Sequence, residues 1–227
     1  MGSLKLQSLS TEAVQTLKKD GFIRGSLSTK CQDTASLWLI EQMNLLGHCM
    51  SYCDQPPVMS IRPKPGFGRS SSGGDLRLLP HTDLAWAERP PKYIGMFCIH
   101  PGGGNEYQTI SDSFKALNAL PQDVLEQLRR NPIHFPAPEH VNSSGFTGAI
   151  LDSERVRINS RNIRENWSDS AEVFLRELIR IEKEIKCEPG DYWFIDNTRY
   201  CHGRYELNPN TSRHLLRVYG IEPRCAT

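Results

Sequence analysis

This sequence has no CxxC pair, and its seven cysteines, at 31, 49, 53, 98, 187, 201 and 225, form an odd set. Both facts argue against a disulfide framework or a structural zinc knot, and a reducing cytoplasm is the expected setting. The stretch MGSLKLQSLSTEAV has no apolar run long enough for a signal peptide or a membrane span. Leu6 stands where a myristoylation motif requires Ser or Thr. An excess of one charge is also missing: 27 Lys and Arg balance 26 Asp and Glu, a net charge of +1. No overall field therefore draws the chain to nucleic acid or an anionic membrane, and the expected partner is a small molecule. Internal repeats are absent as well.

The sequence does hold a single domain's worth of core: 227 residues, 38% of them hydrophobic. Ser10 followed by Glu12, Val14 and Leu17 predicts a capped helix over 11–20, and apolar periodicity predicts a second over 34–48, packed on the outside of a sheet. Helical patterns recur at 113–130, where Pro121 restarts the helix, and at 168–183. Short β-rich runs read as strands at 21–24, 58–62, 76–79, 93–100, 107–110, 149–152, 156–159, 192–196 and 213–221. The expectation is a mostly β domain spanning 1–227, with a helical flank over 1–57 and a jelly-roll core with helical insertions over 58–227. The stretch PKPGFGRSSSGG, 63–74, reads as a loop and a candidate lid.

The sharpest local feature is Pro80-His81-Thr82-Asp83. On an extended backbone His81 and Asp83 point to one side. Far downstream, GDYWFIDNTRYCHGR at 190–204 brings a second histidine, His202. Two His and one carboxylate can cap one face of an octahedral iron(II) and leave three positions open.

With these motifs, and with Arg213 and Arg217 eleven and fifteen residues after His202, the chain resembles the taurine dioxygenase and clavaminate synthase group of iron(II)/2-oxoglutarate oxygenases. The resemblance runs from about Leu79 to Glu222. It implies a double-stranded β-helix with flanking helices, an iron(II) held by His81, Asp83 and His202, and O2 and 2-oxoglutarate as co-reactants. It also implies that Arg213 binds the distal carboxylate of 2-oxoglutarate, as a bidentate guanidinium is suited to do. A second contact expected from the family falls in GGGNEYQTISDS on either Gln108 or Thr109, because the length of that stretch departs from the usual pattern. Arg217, Arg77 and Trp86 stand where relatives contact cosubstrate or substrate. Hydroxylation of an unactivated C–H bond in a small anionic or amino-acid-like metabolite is the implied reaction, for example as a tailoring step in biosynthesis. Asp83 argues against halogenation, which needs a small residue there.

Blander readings stand beside these. Arg217 fits a structural ion pair as well as a ligand contact, Arg77 fits a solvated or lid residue, and Trp86 fits a core aromatic. Asp196-Asn197 reads as a turn device before His202. Two competing functions are a hydrolase with a His/Asp/His zinc site and a non-catalytic jelly-roll binding protein; the zinc reading lacks an evident general base.

Overall fold

The computed structural model describes residues 6–52, 55–64, 74–103, 106–153, 155–160, 167–208 and 210–222. Helix α1 (Thr11–Asp20) begins at Ser10, whose hydroxyl accepts from the Ala13 amide, and ends at Gly21 in the left-handed conformation, φ 80°. The chain then enters β1 (Phe22–Ser26). Helix α2 (Gln32–Leu46) ends two residues before its predicted boundary, because His48–Met50 is taken up as β2 against the last strand. Strand β3 (Val58–Ile61) follows. The candidate lid at 63–74 lies largely outside the described residues.

The central part of the chain comprises β4 (Leu78–His81), β5 (Tyr93–His100), β6 (Gln108–Asp112), α3 (Ser113–Asn118) and α4 (Gln122–Arg130). Pro121 separates the two helices, as its missing N–H requires. Strands β7 (Ile133–Phe135) and β8 (Phe146–Gly148) make a small ribbon before α5 (Asp169–Arg180). The last elements are β9 (Lys183–Ile185), β10 (Asp191–Asp196), β11 (Tyr200–Arg204) and β12 (His214–Ile221).

Two predicted strands do not form. Around 149–152 and 156–159 there is a single bridge, Leu151 to Val156. The amides of Val156, Arg157 and Ile158 instead bond to Thr198 O, Ile150 O and the Thr82 hydroxyl. The apolar residues there are buried, which produces the strand-like signal, but the backbone divides its bonds among three partners. The helix predicted to run to 183 stops at Arg180, and its tail becomes β9.

All pairings are antiparallel. One sheet runs β1-β10-β5-β12-β2, with β3 also on β12; a second runs β4-β11-β6-β9. Three apolar clusters place the layers. Leu17, Trp38, Leu39 and Met43 of α1 and α2 pack on Phe97, Phe194, Leu216 and Val218, one face of the larger sheet. Its other face, through Met96, Cys98, Trp193, Leu215 and Tyr219, meets Ile110 and Ile185 of the smaller sheet. The far side of the smaller sheet, at Cys201, is covered by Ala116, Leu128, Phe174 and Leu178 of α3 to α5. The protein is thus mostly β, two facing antiparallel sheets between helical layers, and the inter-sheet space is where the sequence motifs converge.

Candidate active site

Strands β4 and β11 place His81 directly opposite His202. Such cross-strand partners project to one face with Cβ atoms about 5 Å apart, and the two imidazole centroids lie 4.4 Å apart. Beyond His202 the register slips by one residue, so that Arg204 faces Leu78. Pro80 cannot donate to the ladder, which suits this irregular stretch at a sheet edge. A Cβ on Gly203 would collide with Leu78 O, so this approach requires glycine.

Past His81 the strand ends and the backbone turns sharply, with Leu84 at φ 53°. Asn197 holds that turn from both sides. Its Oδ1 accepts from Asp83 N at 2.8 Å, and its Nδ2 donates to Asp83 O at 3.1 Å and Pro91 O at 2.9 Å. Thr82 N donates to Ile158 O. Arg157, buried, donates to the carbonyls of Ala85, Ala87 and Glu88 and stacks 3.9 Å over the Phe146 ring.

The consequence is a tight ligand set. His81 Nδ1 donates to Leu79 O at 3.0 Å, which fixes the tautomer and leaves a lone pair on Nε2. That Nε2 is buried without a hydrogen-bond partner, 3.4 Å from Asp83 Oδ1. His202 Nε2 lies 3.7 Å from Asp83 Oδ2. The three residues offer ligand atoms within 4.8 Å of one another, the one such group among the described residues. Burial, with His81 alongside, pushes His202 down to about 3. Burial alone would raise the Asp83 carboxyl, but Arg217, His202 and His81 outweigh it and hold it well below the usual range. At neutral pH, then, an anionic carboxylate and a neutral His202 stand beside the unpartnered Nε2 of His81, an arrangement a divalent cation completes.

The other nominated residues fall in different places. Arg213 is 4% exposed and, among the described residues, no carboxylate lies within ion-pair distance of it. Burial pushes its guanidinium down, partly offset by Cys187, Cys98 and Glu106. Gln108 shares its face of β6 with Ile110, on the inter-sheet side, and its Nε2 is buried without a partner. Thr109 alternates to the other face with Ser111, whose hydroxyl donates to Leu178 O of α5. It therefore points away from the His81–His202 side. Arg217 is not a free cation: Nη1 lies 3.0 Å from Asp83 Oδ2. Arg77 is 43% exposed and pairs with Glu182 at 2.9 Å over the Tyr205 ring, a surface arrangement rather than a place facing the ligands. Trp86 packs against the helical cluster and edge-on to Tyr52, centroids 6.1 Å apart.

Several contributors carry little signal in the sequence. Asn197 reads there only as a turn residue; Asp196 does that work, accepting from Thr198 N and its hydroxyl. Glu106 accepts from Asn208 N and the Thr211 hydroxyl, and Thr211 in turn accepts from Arg213 N, so a buried acid shapes the loop that delivers Arg213. Arg204 donates to the carbonyls of Gly74, Asp75 and Leu76, fixing the entry into β4.

Comparison with known proteins bears on the family and the fold. The family model "Taurine catabolism dioxygenase TauD, TfdA family" matches residues 54–166 and 162–219. No curated protein matches the chain at a significant level. The chain is similar in fold to an asparagine oxygenase solved with Fe(II), 2S,3S-3-hydroxyasparagine and succinate, TM-score 0.76 at 18% identity, covering 92% of this chain and 78% of that one. It is similar also to the non-heme iron oxygenase OrfP in complex with Fe and alpha-ketoglutaric acid, TM-score 0.75 at 17% identity, covering 93% and 79%. A point mutant of OrfP in complex with (3S)-hydroxy-L-Arg gives TM-score 0.75 at 18% identity, covering 95% and 81%.

Proposed function

Because the chain belongs to the TauD, TfdA family of dioxygenases, we propose that it hydroxylates an unactivated C–H bond of a small amino-acid-like metabolite, with iron(II) held by His81, Asp83 and His202. The observation that carries this reading is the convergence of those three ligand atoms within 4.8 Å. Bound iron(II) supplies O2 activation coupled to decarboxylation of 2-oxoglutarate to succinate and CO2. Fe(II) with succinate in one similar structure, and Fe with alpha-ketoglutaric acid in another, support the same cofactor set.

The chain's own residues divide the remaining work. Arg213 binds the distal carboxylate of 2-oxoglutarate: a buried cation without an acidic partner is costly until an anion joins it. Gln108, rather than Thr109, adds the second contact, since its orphaned Nε2 lies on the inter-sheet face. Arg213 precedes Arg217 by four residues, roughly 13 Å of extended chain, room for a small dicarboxylate to run along the strand between Arg213 and the ligand set. Trp86 and Tyr52 form an aromatic wall near the turn that carries Asp83. Arg77 lies on the surface, away from the three candidate ligands, and the amino-acid-like class named by the similar oxygenases is preferred. The two facing sheets fit a double-stranded β-helix, and the balanced charge and the free cysteines among the described residues fit a cytoplasmic enzyme.

Anaerobic titration with iron(II) and then 2-oxoglutarate tests this. A visible charge-transfer band is expected in the wild type, absent in His81→Ala and weakened in Arg213→Ala, followed by succinate release when amino acids are screened. No band in folded wild-type protein overturns the reading.

A further inference from the structure

Arg217 and Tyr219 have no place in the scheme above, yet both end on the same atom. They project from β12 on the face that carries Leu215, into the inter-sheet space. Arg217 Nη1 donates to Asp83 Oδ2 at 3.0 Å, and the Tyr219 hydroxyl donates to that oxygen at 2.8 Å. The guanidinium carbon also sits 5.0 Å from the centre of the Tyr219 ring, so the two donors brace each other. Tyr219 is further held edge-on by Tyr52, centroids 6.5 Å apart. The other carboxylate oxygen differs: Oδ1 faces the orphaned His81 Nε2 at 3.4 Å and has no donor among the described hydrogen bonds.

We propose that Arg217 and Tyr219 are positioning residues that clamp Asp83 through Oδ2, so that the carboxylate meets the metal with Oδ1 as its donor-free oxygen. Three features support the clamp. The side chains of Arg217 and Asp83 are 10% and 6% exposed, so water does little to loosen the pair. Two donors on one oxygen fix both the rotation of the carboxylate and its charge distribution. Finally, Asn197 has already fixed the Asp83 backbone, so the clamp acts on what freedom remains, the two side-chain torsions.

This inference rests on the metal-site reading, and the test separates the two. Mn(II) uptake by the apoprotein is measured by the loss of the free-ion paramagnetic resonance signal, in wild type, Tyr219→Phe, Arg217→Lys and Arg217→Met. Loss of a partner to a metal ligand typically weakens metal affinity by about 10- to 100-fold. Tyr219→Phe is expected near the lower end, Arg217→Met near the upper, with Arg217→Lys restoring part of the loss because a cation returns. A shifted charge-transfer band of the iron(II)·2-oxoglutarate complex is expected in Tyr219→Phe, a change that loss of packing alone does not bring. Should Arg217→Met fail to fold, Tyr219→Phe, which keeps the ring, decides the matter. Wild-type affinity in both Tyr219→Phe and Arg217→Lys overturns the clamp alone; a wild-type protein that takes up no Mn(II) overturns the site reading with it.

Discussion

At the scale of single residues, the candidate site is shaped by side chains outside the His81, Asp83 and His202 set. Asn197 satisfies the amide and the carbonyl of Asp83 and the carbonyl of Pro91, all buried. Asn197→Ala leaves these three groups unpaired, and a buried unsatisfied group costs about 1–3 kcal/mol. Some relaxation of the turn is expected, so the loss should be on the order of 2–4 kcal/mol, read as a lower urea midpoint of the apoprotein with an unchanged slope. An unchanged midpoint would mean that the Asp83 turn holds itself. Arg157→Met makes a parallel case: three carbonyls lose their donor and the Phe146 ring its partner, with a similar expected loss in the same urea titration. The proposed metal ligands are legible because His81, Asp83 and His202 stand in a motif whose chemistry names its residues. The supports are not, since an asparagine, an arginine or a tyrosine in an apolar strand has many ordinary uses. Only the register says that Tyr219 and Arg217 face Asp83.

At the scale of elements, strand and helix positions follow from apolar periodicity wherever one face is buried, as in α2 and β5. Periodicity fails at 149–159 because burial without a strand partner leaves the same apolar pattern. It also fails to separate α5 from β9, where two kinds of element share one apolar face. It cannot choose between Gln108 and Thr109, for one residue of register exchanges the two faces of a strand. How α1 docks is likewise a matter of one residue. Gly21 ends the helix at φ 80°, and a Cβ there would lie 2.8 Å from the Tyr200 ring of β11. Gly21→Ala therefore combines left-handed strain of about 1–2 kcal/mol with a clash that shifts Tyr200, two residues from His202. Thermal unfolding should fall by several degrees for this substitution, whereas Gly103→Ala, with open space around its Cβ, should leave it unchanged.

At the scale of the whole molecule, ligands and protons act through linkage to the folded state. Iron(II) with 2-oxoglutarate at a hundred times its dissociation constant should add about 2.7 kcal/mol, several degrees in melting temperature for a chain of this size; no shift would mean that the site does not bind them. Protons act in the opposite sense through His214. It is buried, with Arg62 Nη2 3.1 Å from its Nδ1 and Ser60 Oγ 2.9 Å from its Nε2. Arg62 can only donate, so Nδ1 must keep its lone pair and the folded protein holds His214 neutral. Burial pushes its pKa down, and Arg62 and His100, its partner across β5, add to that. The unfolded chain binds this proton near pH 6.5, the folded protein only at lower pH. Between those values the unfolded state carries more protons, so stability is intact above about pH 6.5 and is lost as the pH falls through the window toward the depressed folded value. Melting temperatures of the apoprotein at pH 7.5 and pH 5.5 should thus differ by more in wild type than in His214→Gln, whose amide can accept from Arg62 and donate to Ser60 without titrating. Equal slopes in the two proteins would place the acid sensitivity elsewhere, first at His202, which burial also holds neutral in the folded apoprotein and which therefore loses stability through the same window.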